Sequence, residues 1–190
     1  MKRNAVAPLI AAVVVGSVAA SPGAAEPVPP DIQQLTRAVY KELVEINTTE
    51  SSGDTFAAAK AMGARLISAG FPKADVQALQ SAPRRGNLVA RLRGTGKRKP
   101  LLLVAHLDVV EAKREDWTSD PFKLVEKDGY FYGRGTGDDK AQAAIWIANL
   151  IRYKREGWKP DRDIIVALTA DEEGGGPFNG VEWLLRITAI

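Results

Sequence analysis

Two runs of apolar residues, Leu101 to Ala105 and the middle of "DIIVALTA" from Asp163 to Ala170, flank a stretch with helical periodicity. A short run with no polar alternation marks a strand covered on both faces, as parallel and mixed sheets provide. Between the runs, Asp139 to Glu156 places Ala141, Ala144, Ile145, Ala148 and Ile151 on one stripe and stops at Gly157. Strands and helices in alternation predict an α/β fold with a mixed, largely parallel sheet flanked by helices.

The upstream half fits that scheme. Asp31 caps a segment with apolar residues at Ile32, Leu35, Val39, Leu43 and Ile46, which is an amphipathic helix by its spacing. A second helix starts near Asp54, carries Ala58, Met62 and Leu66 on one face and ends at Gly70. Short strands are expected at Asp75 to Leu79 and Asn87 to Arg93, and a hairpin over Phe122 to Tyr132 turns at Asp128-Gly129.

Residues 1–25 differ from the rest. Lys2 and Arg3 precede an apolar stretch from Ala5 to Ala20, and Gly23-Ala24-Ala25 supplies small residues before Glu26. Pro8 and Gly16 interrupt the stretch, which falls short of the roughly 20 residues that span a bilayer. It therefore reads as a cleaved signal peptide, with a periplasmic or secreted product and no stable membrane association after cleavage. Residues 26–30 form a Pro-rich linker, and 31–190 are long enough for one domain with a core. Lys2 and Arg3 supply two of the three net positive charges, so the remainder is nearly neutral and no nucleic-acid partner is expected. Arg84-Arg85 and Lys97-Arg98-Lys99 read as solvated loops. The absence of cysteine excludes disulfides and thiolate chemistry.

Ligands of open α/β sheets gather beyond the carboxyl ends of the strands, and three residue clusters fall there. His106, the sole histidine, ends its strand, and Asp108 lies two residues on, able to orient the ring. That pair suits a metal ligand, a catalytic base or a hydrogen-bonded core histidine. Gly133 to Asp139, "GRGTGDD", leads into the long helix. Asp138 and Asp139 would repel a phosphate and welcome a cation, though the glycines can equally serve the turn. Asp171-Glu172-Glu173 follows "DIIVALTA" and is either a solvated acidic loop or a cation-binding cluster. Nitrogen and carboxylate donors without cysteine suit Zn2+ first, then Co2+ or Mn2+.

The ordered series "HLDVV", Trp117, "DPF" at Asp120 to Phe122, "DGYFYGRGTGDDK" and "TADEEGGG" resembles the co-catalytic di-zinc exopeptidases that include glutamate carboxypeptidase, the carnosine dipeptidases, aminoacylase and succinyl-diaminopimelate desuccinylase. The resemblance covers about Asp31 to Leu185. It implies that His106 binds one zinc, that Asp108 orients it, that Asp138 bridges two zincs and that Glu173 binds the second. Glu172 would be the general base in hydrolysis of an amide, with a peptide or an N-acyl amino acid as substrate. Ala141-Gln142 stands where many members have two glycines, which leaves the subfamily open.

The same resemblance implies a further acidic ligand, a dimerisation domain and a late histidine. After Glu173 the chain offers only Glu182, on an expected helix, and no second histidine. Residues 31–190 thus read as the N-terminal part of a zinc peptidase catalytic domain, without the dimerisation domain and inactive alone. The alternative is a metal- or peptide-binding module without turnover.

Overall fold

The computed structural model describes residues 27–174 and 179–187. The proposed signal peptide and Gly175 to Phe178 lie outside the described residues. Helix α1 (Pro30–Glu45) begins with Pro30 at its first position; its N-cap is Pro29 and no side chain caps it, so Asp31 sits in the first turn instead of capping. Helix α2 (Thr55–Ser68) starts as expected at Asp54, whose carboxylate accepts from the Ala57 amide at 2.7 Å.

Strands β1 (Val76–Ala82), β2 (Arg85–Leu92), β3 (Leu101–His106) and β6 (Ile164–Thr169) form one mixed sheet in the order β1-β2-β6-β3. β3 and β6 run parallel, in register from Leu101↔Ile164 to His106↔Thr169, while β1–β2 and β2–β6 are antiparallel. Between β3 and β6 come the hairpin of β4 (Val125–Lys127) and β5 (Tyr130–Tyr132) and the long helix α3 (Lys140–Arg155). The hairpin turns where expected, with Asp128 and Gly129 both at positive φ (53° and 80°), the backbone of a type I′ turn. Among the described residues β1 and β3 are the sheet edges, and β1 carries a register shift between Gln80 and Ala82.

One face of the sheet is well covered. Leu88, Ala90, Leu103, Ala105, Val166 and Leu168 pack with Val39, Leu43 and Val44 of α1, Met62 and Leu66 of α2 and Ile147, Leu150 and Ile151 of α3. On the other face, among the described residues, Val89, Ile165 and Ala167 meet Leu184 and Trp183 of the short helix α4 (Gly180–Arg186), with Leu79 beside them. β6 is accordingly buried on both sides as its sequence predicts. β3 is not: Leu102 is 42% and Val104 38% exposed, because β3 is an edge strand and α4 does not reach it.

The expected stripe on α3 also needs correction. Ile145 is 49% exposed, whereas Ala143 and Ile147 lie in the core. The helix has apolar residues on more than one side, and the docked side is the one that α1 and β3 meet. Ile147→Ala should therefore lower unfolding stability by about 2–5 kcal/mol, and Ile145→Ala by no more than about 0.5 kcal/mol. Urea unfolding midpoints of the two variants measure the contrast, and equal shifts would restore the stripe read from sequence.

Candidate metal centre

Parallel strands deliver their following residues to the same edge, so His106 at the end of β3 and Asp171 to Glu173 after β6 meet there. The glycine-rich turn before α3 brings Asp138 to the same place. Gly135 needs its lack of a side chain, since its φ is +81° and a Cβ would stand 2.8 Å from Val109 Cγ1. The Asp138–Asp139 peptide is cis, which no sequence pattern announces for a non-proline residue.

Ligand atoms of His106, Asp138 and Glu173 lie within 4.8 Å of one another. His106 Nε2 is 2.9 Å from Asp138 Oδ1 and 4.0 Å from Glu172 Oε2, so all four side chains share one patch. The ring is buried, whereas the Asp138 and Glu172 side chains are open to solvent. Asp108 orients the ring differently from expectation. Its backbone carbonyl, 3.0 Å away, accepts from Nδ1, while its carboxylate Oδ1 stands 3.7 Å from that nitrogen. Assigning the proton to Nδ1 leaves Nε2 with a lone pair for a metal. The Asp108 carboxylate serves the other ligand, its Oδ2 accepting from the Glu173 amide at 2.9 Å. Asp139 Oδ2 accepts from the His106 amide at 3.3 Å.

The electrostatics suit a cation. Burial, and then the charge of Asp138, raise Glu173 above its ordinary value. Burial also raises Asp139, against the pull of the His106 amide and ring. Burial raises Asp171, with Arg85 opposing it. Burial disfavours the charged imidazole of His106, but the hydrogen bond to Asp138 and the charge of Asp108 outweigh it and the ring titrates above its ordinary value. One imidazole nitrogen and two carboxylates, with no thiol in the chain, form a donor set that fits zinc, cobalt or manganese.

Three residues at this edge are not singled out by the sequence. Lys140 is fully buried, donates from Nζ to the Ile46 carbonyl at 2.8 Å and is pushed down to about 7 by burial, with Asp108 pulling the other way. Its position in "DDK" is visible in the sequence, but its burial is not. Arg85 is not a loop residue: it opens β2, is 9% exposed and pairs with Asp171. Asn87 is buried two residues on and accepts from the Ala170 amide. A charge or amide at the end of a strand is the available signal. Lys97 to Lys99 are exposed, as expected of a solvated loop.

Residues 102–189 match the family model of Peptidase family M20/M25/M40. The chain carries a peptidase M20 family domain. This chain is 43% identical over 90 residues to a succinyl-diaminopimelate desuccinylase of Delftia acidovorans, a match covering 46% of this chain and 23% of that protein. The chain thus spans about a quarter of that relative's length. The fold of the chain is similar to that of the di-peptidase Dug1p from Saccharomyces cerevisiae, with a TM-score of 0.69 and 22% identity over 84% of this chain and 36% of that one. It is also similar to a dinuclear metal binding peptidase of Bacillus subtilis, with a TM-score of 0.59 and 13% identity over 84% of this chain and 40% of that one.

The raised His106 pKa has a pH consequence for the metal-free M20 domain. A group raised on folding contributes stability that is fully present below its unfolded pKa and is lost as pH rises through its folded pKa. That contribution should therefore fade as pH climbs above the ordinary 6.5. The single histidine makes the titration easy to follow by proton NMR. Its midpoint should lie above 6.5 without metal and drop in Asp138→Asn; an unmoved midpoint would remove Asp138 as a cause.

Proposed function

We propose that this chain carries the catalytic patch of a metal-dependent amide hydrolase, with a peptide or an N-acyl amino acid as substrate. The observation that carries the reading is the convergence of His106 Nε2, Asp138 and Glu173 with Glu172 beside them. Zinc is the first choice for the donor set, and Co2+ or Mn2+ fit the same atoms. His106 would hold one ion and Glu173 a second, with Asp138 available to both. A bound metal pair in such sites polarises a carbonyl and makes water acidic enough to act as a nucleophile near neutral pH. The residues of the chain do the rest. Glu172, exposed and 4.0 Å from the ring, is free to accept a proton from water and pass it to a leaving amine. Asp108 keeps the imidazole oriented through its carbonyl and holds the Glu173 backbone through its carboxylate. The likeness to a desuccinylase and to a di-peptidase supports an N-acyl or peptide substrate, and the likeness to a dinuclear metal binding peptidase supports a pair of ions.

One observation favours a second reading, a metal- or peptide-binding module without turnover. Among the described residues only three side chains converge, so two ions sharing Asp138 would each have two protein ligands. A catalytic zinc normally has three plus water. The 190-residue chain by itself is therefore expected to bind zinc and to hydrolyse dipeptides and N-acyl amino acids poorly or not at all. Zinc content measured after dialysis should fall in His106→Ala and Glu173→Ala and stay unchanged in Glu172→Gln. Wherever turnover is observed, Glu172→Gln should lower kcat by about 10²–10⁴. Wild-type chain that retains no more zinc than Glu173→Ala would sink the metal reading.

Export is part of the same proposal and rests on residues 1–25 alone. No helix among the described residues is long and apolar enough to cross a membrane. N-terminal sequencing of the exported product should begin near Glu26, and a product starting at Met1 would contradict cleavage.

A further inference from the structure

The turn that carries Glu172 and Glu173 is held from two strands. On the β3 side the grip is the Asp108 carboxylate on the Glu173 amide. On the β2 side the ladder with β6 runs from Leu92↔Ile164 to Leu88↔Leu168 and stops. β2 itself continues past that point, still paired with β1 through Asn87, Gly86 and Arg85. β6 therefore peels away from β2 just before the acidic turn, and its backbone needs other partners.

Two side chains of β2 take the place of the missing rungs. Asn87 and Arg85 are two residues apart and so point to the same side of the strand. Asn87 Oδ1 accepts from the Ala170 amide at 2.9 Å. Arg85 Nε forms an ion pair with Asp171 Oδ1 at 3.1 Å, and its Nη2 donates to the Glu50 carbonyl at 2.7 Å. Asp171 has a φ of 57°, the left-handed region that a non-glycine residue occupies only when its surroundings hold it there. Arg85 and Asp171 are both nearly closed to solvent, so their pairing is little screened.

We propose that Arg85 is a positioning residue for the metal centre, its guanidinium bridging Asp171 and the Glu50 carbonyl so that the left-handed turn presents Glu172 and Glu173 to His106. This rests on the metal reading above but concerns a side chain that touches none of the ligands. The guanidinium reaches Asp171 and the Glu50 carbonyl at once from two separate nitrogens, which a single ammonium does less well. Losing it frees Asp171 to relax out of the left-handed region, and the Glu173 carboxylate moves with it.

The test compares Arg85→Met, Arg85→Lys and Asp171→Asn with wild type and with Arg98→Met, a control at the opposite, exposed end of the sheet. Zinc affinity is measured against a chromophoric chelator, the visible absorption of the cobalt-loaded chain reports ligand geometry, and circular dichroism reports the fold. Folded Arg85→Met should bind zinc about tenfold or more weakly, with an altered cobalt spectrum. Arg85→Lys should recover part of the loss, and Arg98→Met should match wild type. Should Arg85→Met not fold, Arg85→Lys and Asp171→Asn carry the same comparison. Folded variants that keep wild-type zinc affinity and cobalt spectrum while only their unfolding midpoint drops would overturn the inference and leave the metal reading standing. A wild-type chain that takes up no zinc would overturn both.

Discussion

Because β3 and β6 run parallel and stay in register up to His106↔Thr169, the chain leaves both strands at one edge of the sheet. The pairing even persists beyond the strand, with the Leu107 amide donating to the Thr169 carbonyl at 2.7 Å. Every other element of the site depends on this. Had the two strands been antiparallel, His106 and the Asp171–Glu173 turn would stand at opposite ends of the sheet. α3 has to cross between the strands, and the turn that starts it arrives at the same edge with Asp138. A metal centre assembled from three distant parts of the chain thus follows from one choice of strand direction.

That edge concentrates negative charge. Asp108, Asp138, Asp139, Asp171, Glu172 and Glu173 lie close together, and the cations set among them are His106, Arg85 and Lys140. Burial and mutual repulsion act in the same direction on Glu173, making its ionised form costly without a counter-ion. The charge of His106 offsets part of that cost, and Arg85 does the same for the neighbouring Asp171. The solvent-facing acids, Asp138, Glu172 and Glu173, are left to meet whatever binds.

Much of this is legible in the sequence, and the exceptions have physical causes. Helix α2, its Asp54 cap, the Asp128-Gly129 turn and the convergence of His106, Asp138, Glu172 and Glu173 follow from local pattern and from where α/β sheets place their ligands. The exposure of Leu102 and Val104 does not, because an apolar run reports composition and not what covers it. Ile145 and Ile147 are indistinguishable until the partners of α3 are known. Spacing suggests that the Asp108 carboxylate faces the ring, yet its carbonyl does that work, and a backbone group has no letter in a sequence. Arg85 looks like half of a basic loop pair because its partner, Asp171, lies far along the chain and is contiguous only in the folded sheet.

The two edges of the sheet are unlike each other. β1 is rich in half-exposed and polar positions, Gln77, Gln80 and Ser81 among them, and its register shift between Gln80 and Ala82 bends the outer backbone away from a flat template. Among the described residues β3 has no such break and pairs on one side only, with Leu102 and Val104 exposed along it. An added strand therefore finds a good seat on one side only. Among the described residues, the sheet thus has one receptive edge and one blunted edge.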